Sequence, residues 1–168
     1  GVSRTALFAG SLFTPRVWNG TLYYAARGRP DIGIYGKGCT GSGGVPSLAA
    51  ATGSLPKIGN TLKLSLASLP SKAGAMMMLI GLSQSRWSGL NLPLDLVIVG
   101  MPNCSLLSSI DVNVGAINTG GTGSFALPIP KNALFVGQSL YFQTLVFDPG
   151  TNTYGAVMTN GAEAVIGN

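Results

Sequence analysis

Few residues in this chain are equipped for chemistry. Histidine is absent, which removes the commonest general base and the commonest metal ligand. The five carboxylates are Asp31, Asp95, Asp111, Asp148 and Glu163. A glycosidase needs two carboxyl groups facing each other across its substrate. Asp95 and Asp111 are the only plausible pair, and they fall on different predicted strands with no cleft implied between them. Asp148 is accounted for by the turn Asp148-Pro149-Gly150. No base and no oxyanion loop accompany a serine nucleophile. The glycine-rich stretch Gly36–Gly44 invites comparison with a phosphate-cradling loop, but no Lys-Ser/Thr follows and no βαβ context surrounds it. Met76, Met77 and Met78 would point to opposite faces of a strand, which argues against a methionine copper site and for adaptable core filler. The inventory points to a non-catalytic protein with no cofactor and no metal.

Two cysteines remain, Cys39 and Cys104, 65 positions apart. That separation matches no zinc spacing. In an intracellular protein they would be unrelated thiols, and in a secreted β-protein one disulfide. Both lie in Gly/Pro/Ser turns, GKGCTGSGG and GMPNCSLL, where two chain crossings can be tied. The disulfide is the preferred reading, and with it an oxidising compartment.

The elements that must carry these residues are strands. The chain has 168 residues, enough for one domain, with 46% hydrophobic and only 9% charged residues. Ordinary domains carry about 25% charged residues. The longest apolar runs stop near ten residues, short of the roughly 20 that a membrane-spanning helix needs. Disorder is disfavoured by the high apolar content. The net charge is +5, and five basic residues fall early: Arg4, Arg16, Arg27, Arg29 and Lys37. No run is dense enough for a nucleic-acid footprint, so no nucleic-acid partner is expected. The chain begins at Gly1 without a signal peptide, which suggests a processed or trimmed product.

Residues 1–34 differ in texture from the rest and read as a strand or arm segment, with residues 35–168 forming the domain. Thr61–Ser68 alternates strictly, with Leu62, Leu64 and Leu66 on one face. Ala75–Ser83 is apolar on both faces and reads as a central strand, as does Ser139–Asp148. Leu92–Gly100 reads as another strand, with Pro93 confined to its start or to an edge. Together with Leu79 it frames the stretch Leu79–Leu107, which reads as two core strands. Ile110–Ile117 places Ile110, Val112 and Val114 inward. Tyr154–Thr159 and Ala162–Ile166 close the chain, joined at Asn160-Gly161, a hairpin signal. About 9–11 short strands with Gly/Pro/Asn turns, and no 3.6-residue period, predict an all-β fold. The expected form is a β-sandwich, jelly-roll or immunoglobulin-like.

From about Tyr35 to Gly167 the sequence resembles a domain of secreted proteins from planctomycetes, myxobacteria and related bacteria, often found near their C-termini. The matching pieces are YGKGCTGSGGVP, LIGLS, LPLDL, GMPNCSLL, Ile129-Pro130, GQSLYFQ and DPGTNTYGAVMTNG. The resemblance implies a small extracellular β-sandwich with Cys39 paired to Cys104, and it transfers no catalytic residue. Residues 1–34 lie outside it.

Two functional expectations follow. The first is a self-assembling surface or filament subunit, a homo-oligomer or polymer, in which an N-terminal strand completes the sheet of a neighbour, although Val2–Phe13 reads equally as the domain's own first strand. The contact residues would be Val2, Arg4, Ala6, Leu7, Phe8 and Phe13. The second is a carbohydrate-binding module using Trp18, Trp87 and Tyr154 as platforms for a polysaccharide, although a plug over the end of the core is the preferred reading of Trp87.

Overall fold

A computed structural model of the chain describes residues 28–168. Thirteen strands are present among them. In chain order they are β1 (Asp31–Tyr35), β2 (Ser47–Ala50), β3 (Thr61–Ala67), β4 (Gly74–Gly81), β5 (Arg86–Trp87), β6 (Leu90–Asn91) and β7 (Leu94–Asp95). There follow β8 (Ser105–Leu106), β9 (Val112–Asn118), β10 (Gly123–Pro128), β11 (Ser139–Phe147), β12 (Ala156–Met158) and β13 (Gly161–Val165). The four two-residue strands all lie between β4 and β9. The remaining nine form the two main sheets.

The larger sheet has the order β1-β13-β11-β4-β9, with β12 also on β11. The smaller has the order β10-β3-β2. All strand pairs are antiparallel. Leu48, Leu62, Leu64 and Leu66 of the smaller sheet and Met76, Met78, Phe142 and Val146 of the larger share one buried cluster. This is the all-β fold the sequence predicts. β4 and β11 are central, as their two-sided apolar pattern requires, and the alternation of β3 buries its three leucines. The domain boundary expected after residue 34 falls inside β1, whose five residues all pair with β13; residues 31–34 therefore belong to the sandwich.

Three expectations about elements need correction. Leu92–Gly100 is not a core strand. Only Leu94–Asp95 is extended, after which Leu96–Val99 winds into a 3-10 turn. The Asp95 carboxylate accepts the Val97 N–H at 2.9 Å, and Gly100 closes the turn at φ +84°, a conformation that costs glycine little. A side-chain cap and a left-handed stop outweigh the β preference of Val97, Ile98 and Val99, all of which are left exposed. Second, Asn160-Gly161 is not a hairpin turn. β12 and β13 both pair with β11, on one side of it, and Asn160 lies in the break between them. Its carboxamide accepts the Leu48 N–H at 2.8 Å and donates to the Leu48 carbonyl at 2.9 Å, so it pairs with β2 as a backbone amide would.

Third, most of the stretch Leu79–Leu107 is a layer laid over the outer face of the larger sheet rather than a core of two strands. Gln143 of β11, fully buried, holds it there. Its Nε2 donates to the carbonyls of Ser105 and Thr159, and its Oε1 accepts the Leu107 N–H, all at 2.9 Å. Gly81 admits the layer closely, since a Cβ there would strike the Ser109 carbonyl. Cys104, at the far end of this layer, is bonded to Cys39.

Candidate functional site: an open flank of the sandwich

The sheets differ in width. A three-stranded sheet faces one that is five strands across, and inward-facing residues on the outer strands of the larger sheet are left exposed. The consequence is clearest at β9. Its register with β4 sets Val112 opposite Ile80, Val114 opposite Met78 and Ala116 opposite Met76. Residues directly opposite in an antiparallel pair share a face, so Val112 and Val114 look inward, as the sequence predicts. They are nonetheless 55% and 43% exposed. The alternation sets their direction but does not by itself bury them.

The neighbouring strand of the second sheet is open in the same way. β10 places Phe125 and Leu127 opposite the core residues Leu64 and Leu62, yet both are only half-buried. β9 and β10 are consecutive and join the two sheets along this flank. At its lower end lies an apolar cavity of about 380 Å3, lined by Leu82, Leu127, Ile129, Leu134, Phe135 and Leu140 among others. Leu82 and Leu134 are largely exposed. On the opposite flank Ile34 of β1, opposite the buried Ala162, is similarly uncovered. That side has no comparable cavity among those found in the described residues.

Among the described residues β9 is also an unguarded edge. Natural edge strands are commonly blunted with lysine, proline or inward charge. The sequence VNVGAIN carries none of these. By contrast β10 ends in Pro128, with Pro130 beyond it.

The residues considered for chemistry are occupied with structure. Asp31 accepts the Ile32 N–H, Asp95 the Val97 N–H, and Asp111 the Ser109 hydroxyl and the Leu82 N–H. Glu163 accepts the Tyr141 hydroxyl at 3.1 Å. Asp148 accepts both the Ser42 N–H and the Ser42 hydroxyl at 2.6 and 2.8 Å. Burial alone would raise the Asp148 pKa, but these bonds and one from the Thr151 hydroxyl hold it below the usual carboxylate value. The Tyr35 phenol is pushed well above its ordinary value by burial and then by Tyr141 and Glu163. Tyr141 is also raised, by burial and then by its bond to Glu163. No group of three His, Cys, Asp or Glu side chains with metal-site geometry occurs among the described residues. The glycine-rich loop is a packed turn: Gly41 and Gly44 exchange backbone bonds, and a Cβ on Gly43 would strike the Leu69 carbonyl.

Of the aromatic platforms, Trp87 is half-buried in the β5–β6 hairpin and packs against the core cluster, the plug its flanking residues suggest. Tyr154 is exposed on the turn between β11 and β12. The structure brings the two into no common surface: β5 follows the Gly81 end of β4, whereas Tyr154 follows the Phe147 end of β11, and Tyr141, not Phe147, pairs with Gly81. Trp18 and the proposed contact residues Val2, Arg4, Ala6, Leu7, Phe8 and Phe13 lie outside the described residues. No helix among the described residues is long and apolar enough to cross a membrane.

Comparison with known proteins returns no matching family model, no matching curated protein and no matching solved structure. The function must be argued from the chain itself.

Proposed function

We propose that this chain is a non-catalytic extracellular structural protein that self-assembles into a surface or filament layer through its N-terminal segment. The observation that carries the reading is the open flank. Val112 and Val114 face the interior of the sandwich but meet solvent, on a strand that is an edge among the described residues and has no device against pairing. Exposed inward-facing valine, flanked by a largely apolar cavity, is costly in a monomer, at about 25 cal/mol for each Å2 of apolar surface left in water. Covering it by another copy removes that cost.

Three further features support the reading. Each carboxylate accepts a hydrogen bond from a nearby residue, and no two of them are paired across a cleft in the manner a glycosidase needs. The Cys39–Cys104 bond suits an oxidising compartment. The low charge and the small polar residues of the surface suit dense lateral packing. The carbohydrate reading is weakened by Trp87, whose ring packs against the core instead of standing clear as a platform.

Negative-stain electron microscopy of the purified full chain tests this directly. Chains or sheets of repeating particles are expected. A field of uniform single particles of 17 kDa size across the accessible concentration range would refute it.

A further inference from the structure

The open flank, on this reading of self-assembly, has a specific occupant. We infer that the cleft between β9 and β10 is an acceptor groove for residues 2–13 of a second copy of the chain, which add a strand to the free edge of β9.

The argument starts from where the chain enters the described structure. Residues 1–27 precede it. The entry is fixed at the lower end of the sandwich, where the Asn168 N–H donates to the Gly28 carbonyl at 2.8 Å. Three residues later the chain becomes β1, the edge strand opposite β9 in the larger sheet. Four strand intervals of about 4.8 Å separate those edges, roughly 19 Å. The arm is thus attached at the edge away from β9, and on the self-assembly reading it is a neighbour's arm that occupies β9.

Length agrees. β9 is seven residues long, so a matching donor needs about seven residues of the 27 available, and the remainder serves as a tether. At about 3.3 Å per extended residue, a 15-residue tether from residue 13 to Gly28 spans up to roughly 50 Å, more than enough to reach an adjoining domain. Chemistry agrees as well. The sequence VSRTALFAGSLF contains no residue that forbids strand pairing, and from Ala6 to Phe13 both alternate faces are largely apolar: Ala6, Phe8 and Leu12 on one, Leu7, Ala9 and Phe13 on the other. One face can enter a groove floored by Val112 and Val114 and walled by Phe125 and Leu127. The cavity beside Leu127 and Leu140 has room for an aromatic side chain at the lower end.

The donor is a terminal segment and the acceptor a sheet edge, so the contact is heterologous. Such a contact extends into an open chain of subunits unless the rotation happens to close a ring. That is the geometry a filament needs, and β-strand addition supplies its affinity through main-chain hydrogen bonds.

The test uses two full-length variants. Val112→Lys with Val114→Lys spoils the groove and leaves the arm. Leu7→Lys with Phe8→Lys spoils the arm on both faces and leaves the groove. Like charges keep the two spoiled halves apart. By sedimentation, each variant alone should be monomeric, and an equimolar mixture should form a species of twice the monomer mass and stop there, because only one arm and one groove are intact. Thermal melting checks that both fold; if the lysine groove variant does not, Val112→Thr with Val114→Thr keeps the β-branched shape and should still weaken assembly at least tenfold. A groove variant that assembles like the wild type, or a mixture that stays monomeric, overturns the acceptor assignment. Assembly by the wild type alongside either result leaves self-assembly standing with its contact elsewhere. A wild-type chain that is monomeric throughout overturns both.

Discussion

Val114 stands directly opposite Met78 across the β4–β9 ladder, on the same face of the same sheet, yet Met78 is 1% exposed and Val114 43%. Met78 lies on a central strand of the larger sheet, whereas Val114 lies on its outermost strand among the described residues.

That contrast sets the first prediction. Met78→Ala removes a fully packed side chain and should destabilise the domain by about 2–5 kcal/mol. Val114→Ala, one strand away, should cost the monomer less than about 1 kcal/mol. Chemical denaturation of the two variants under conditions that keep the chain monomeric checks this. Equal losses would mean that the flank is covered within one chain.

The sequence shows which way side chains point better than it shows what covers them. Leu62, Leu64 and Leu66 were legible because one neighbour on each side and a sheet opposite are the usual circumstances of a half-buried strand. Val112 and Val114 carry the same pattern, and nothing local marks that their cover is missing. The 3-10 turn at Leu96–Val99 escaped for a different reason: a single Asp95 cap and a left-handed Gly100 override three β-branched residues, Val97, Ile98 and Val99, and both signals are too small to outweigh the run. Asn160-Gly161 has hairpin chemistry, but its carboxamide is drawn to Leu48, 112 positions away, a partner that no local reading can supply.

Asn160 yields the second prediction. Its two bonds to Leu48 tie the strand break to β2 across the sandwich. Asn160→Ala leaves the Leu48 N–H and carbonyl short of partners and should cost about 1–3 kcal/mol. Asn160→Asp should retain the accepted bond and lose the donated one, and so fall between alanine and the wild type in melting temperature. A wild-type melting curve for Asn160→Ala would contradict the role.

Asp148 makes stability depend on pH in a defined direction. Its folded pKa lies below the value of about 3.9 typical of an unfolded aspartate. The stabilisation it provides is therefore present above that value and is lost as pH falls through the folded pKa. Asp148→Asn should cost about 1–3 kcal/mol at neutral pH and flatten the acid limb of the stability curve. An acid limb as steep in the variant as in the wild type would assign the effect to other groups.

The two tyrosines act at the other end of the scale. Tyr35 and Tyr141 stand edge to face with ring centroids 6.3 Å apart, and both phenols titrate above their ordinary value of about 10. A raised acid pKa favours the protonated folded form, so this stabilisation is present below pH 10 and is lost as pH rises through the folded values. Absorbance titration of the phenolates in Tyr35→Phe and Tyr141→Phe variants should assign to these two an ionisation above about pH 10 that coincides with unfolding. Ionisation of either at its ordinary value in the folded state would contradict it.

Removing the disulfide tests the clamp on the outer layer. Cys39 and Cys104 enclose 65 positions, and the chain-entropy account gives a bridge of that length roughly 4 kcal/mol. Cys39→Ala with Cys104→Ala should lower stability by about 2–5 kcal/mol. Amide exchange should quicken first around residues 96–107, while β4 and β11 stay protected. Uniform acceleration over the whole domain would show that the layer and the sandwich unfold as one unit.

The most direct test of the open flank is hydrogen exchange at residues 112–118 in the full chain as concentration is raised. Half of the β9 amides point to a free edge among the described residues. If another copy supplies the missing strand, their exchange slows as the protein assembles, and it returns to the fast limit in the Leu7→Lys, Phe8→Lys variant. Fast exchange at every concentration, or protection that does not change with concentration, would contradict the account.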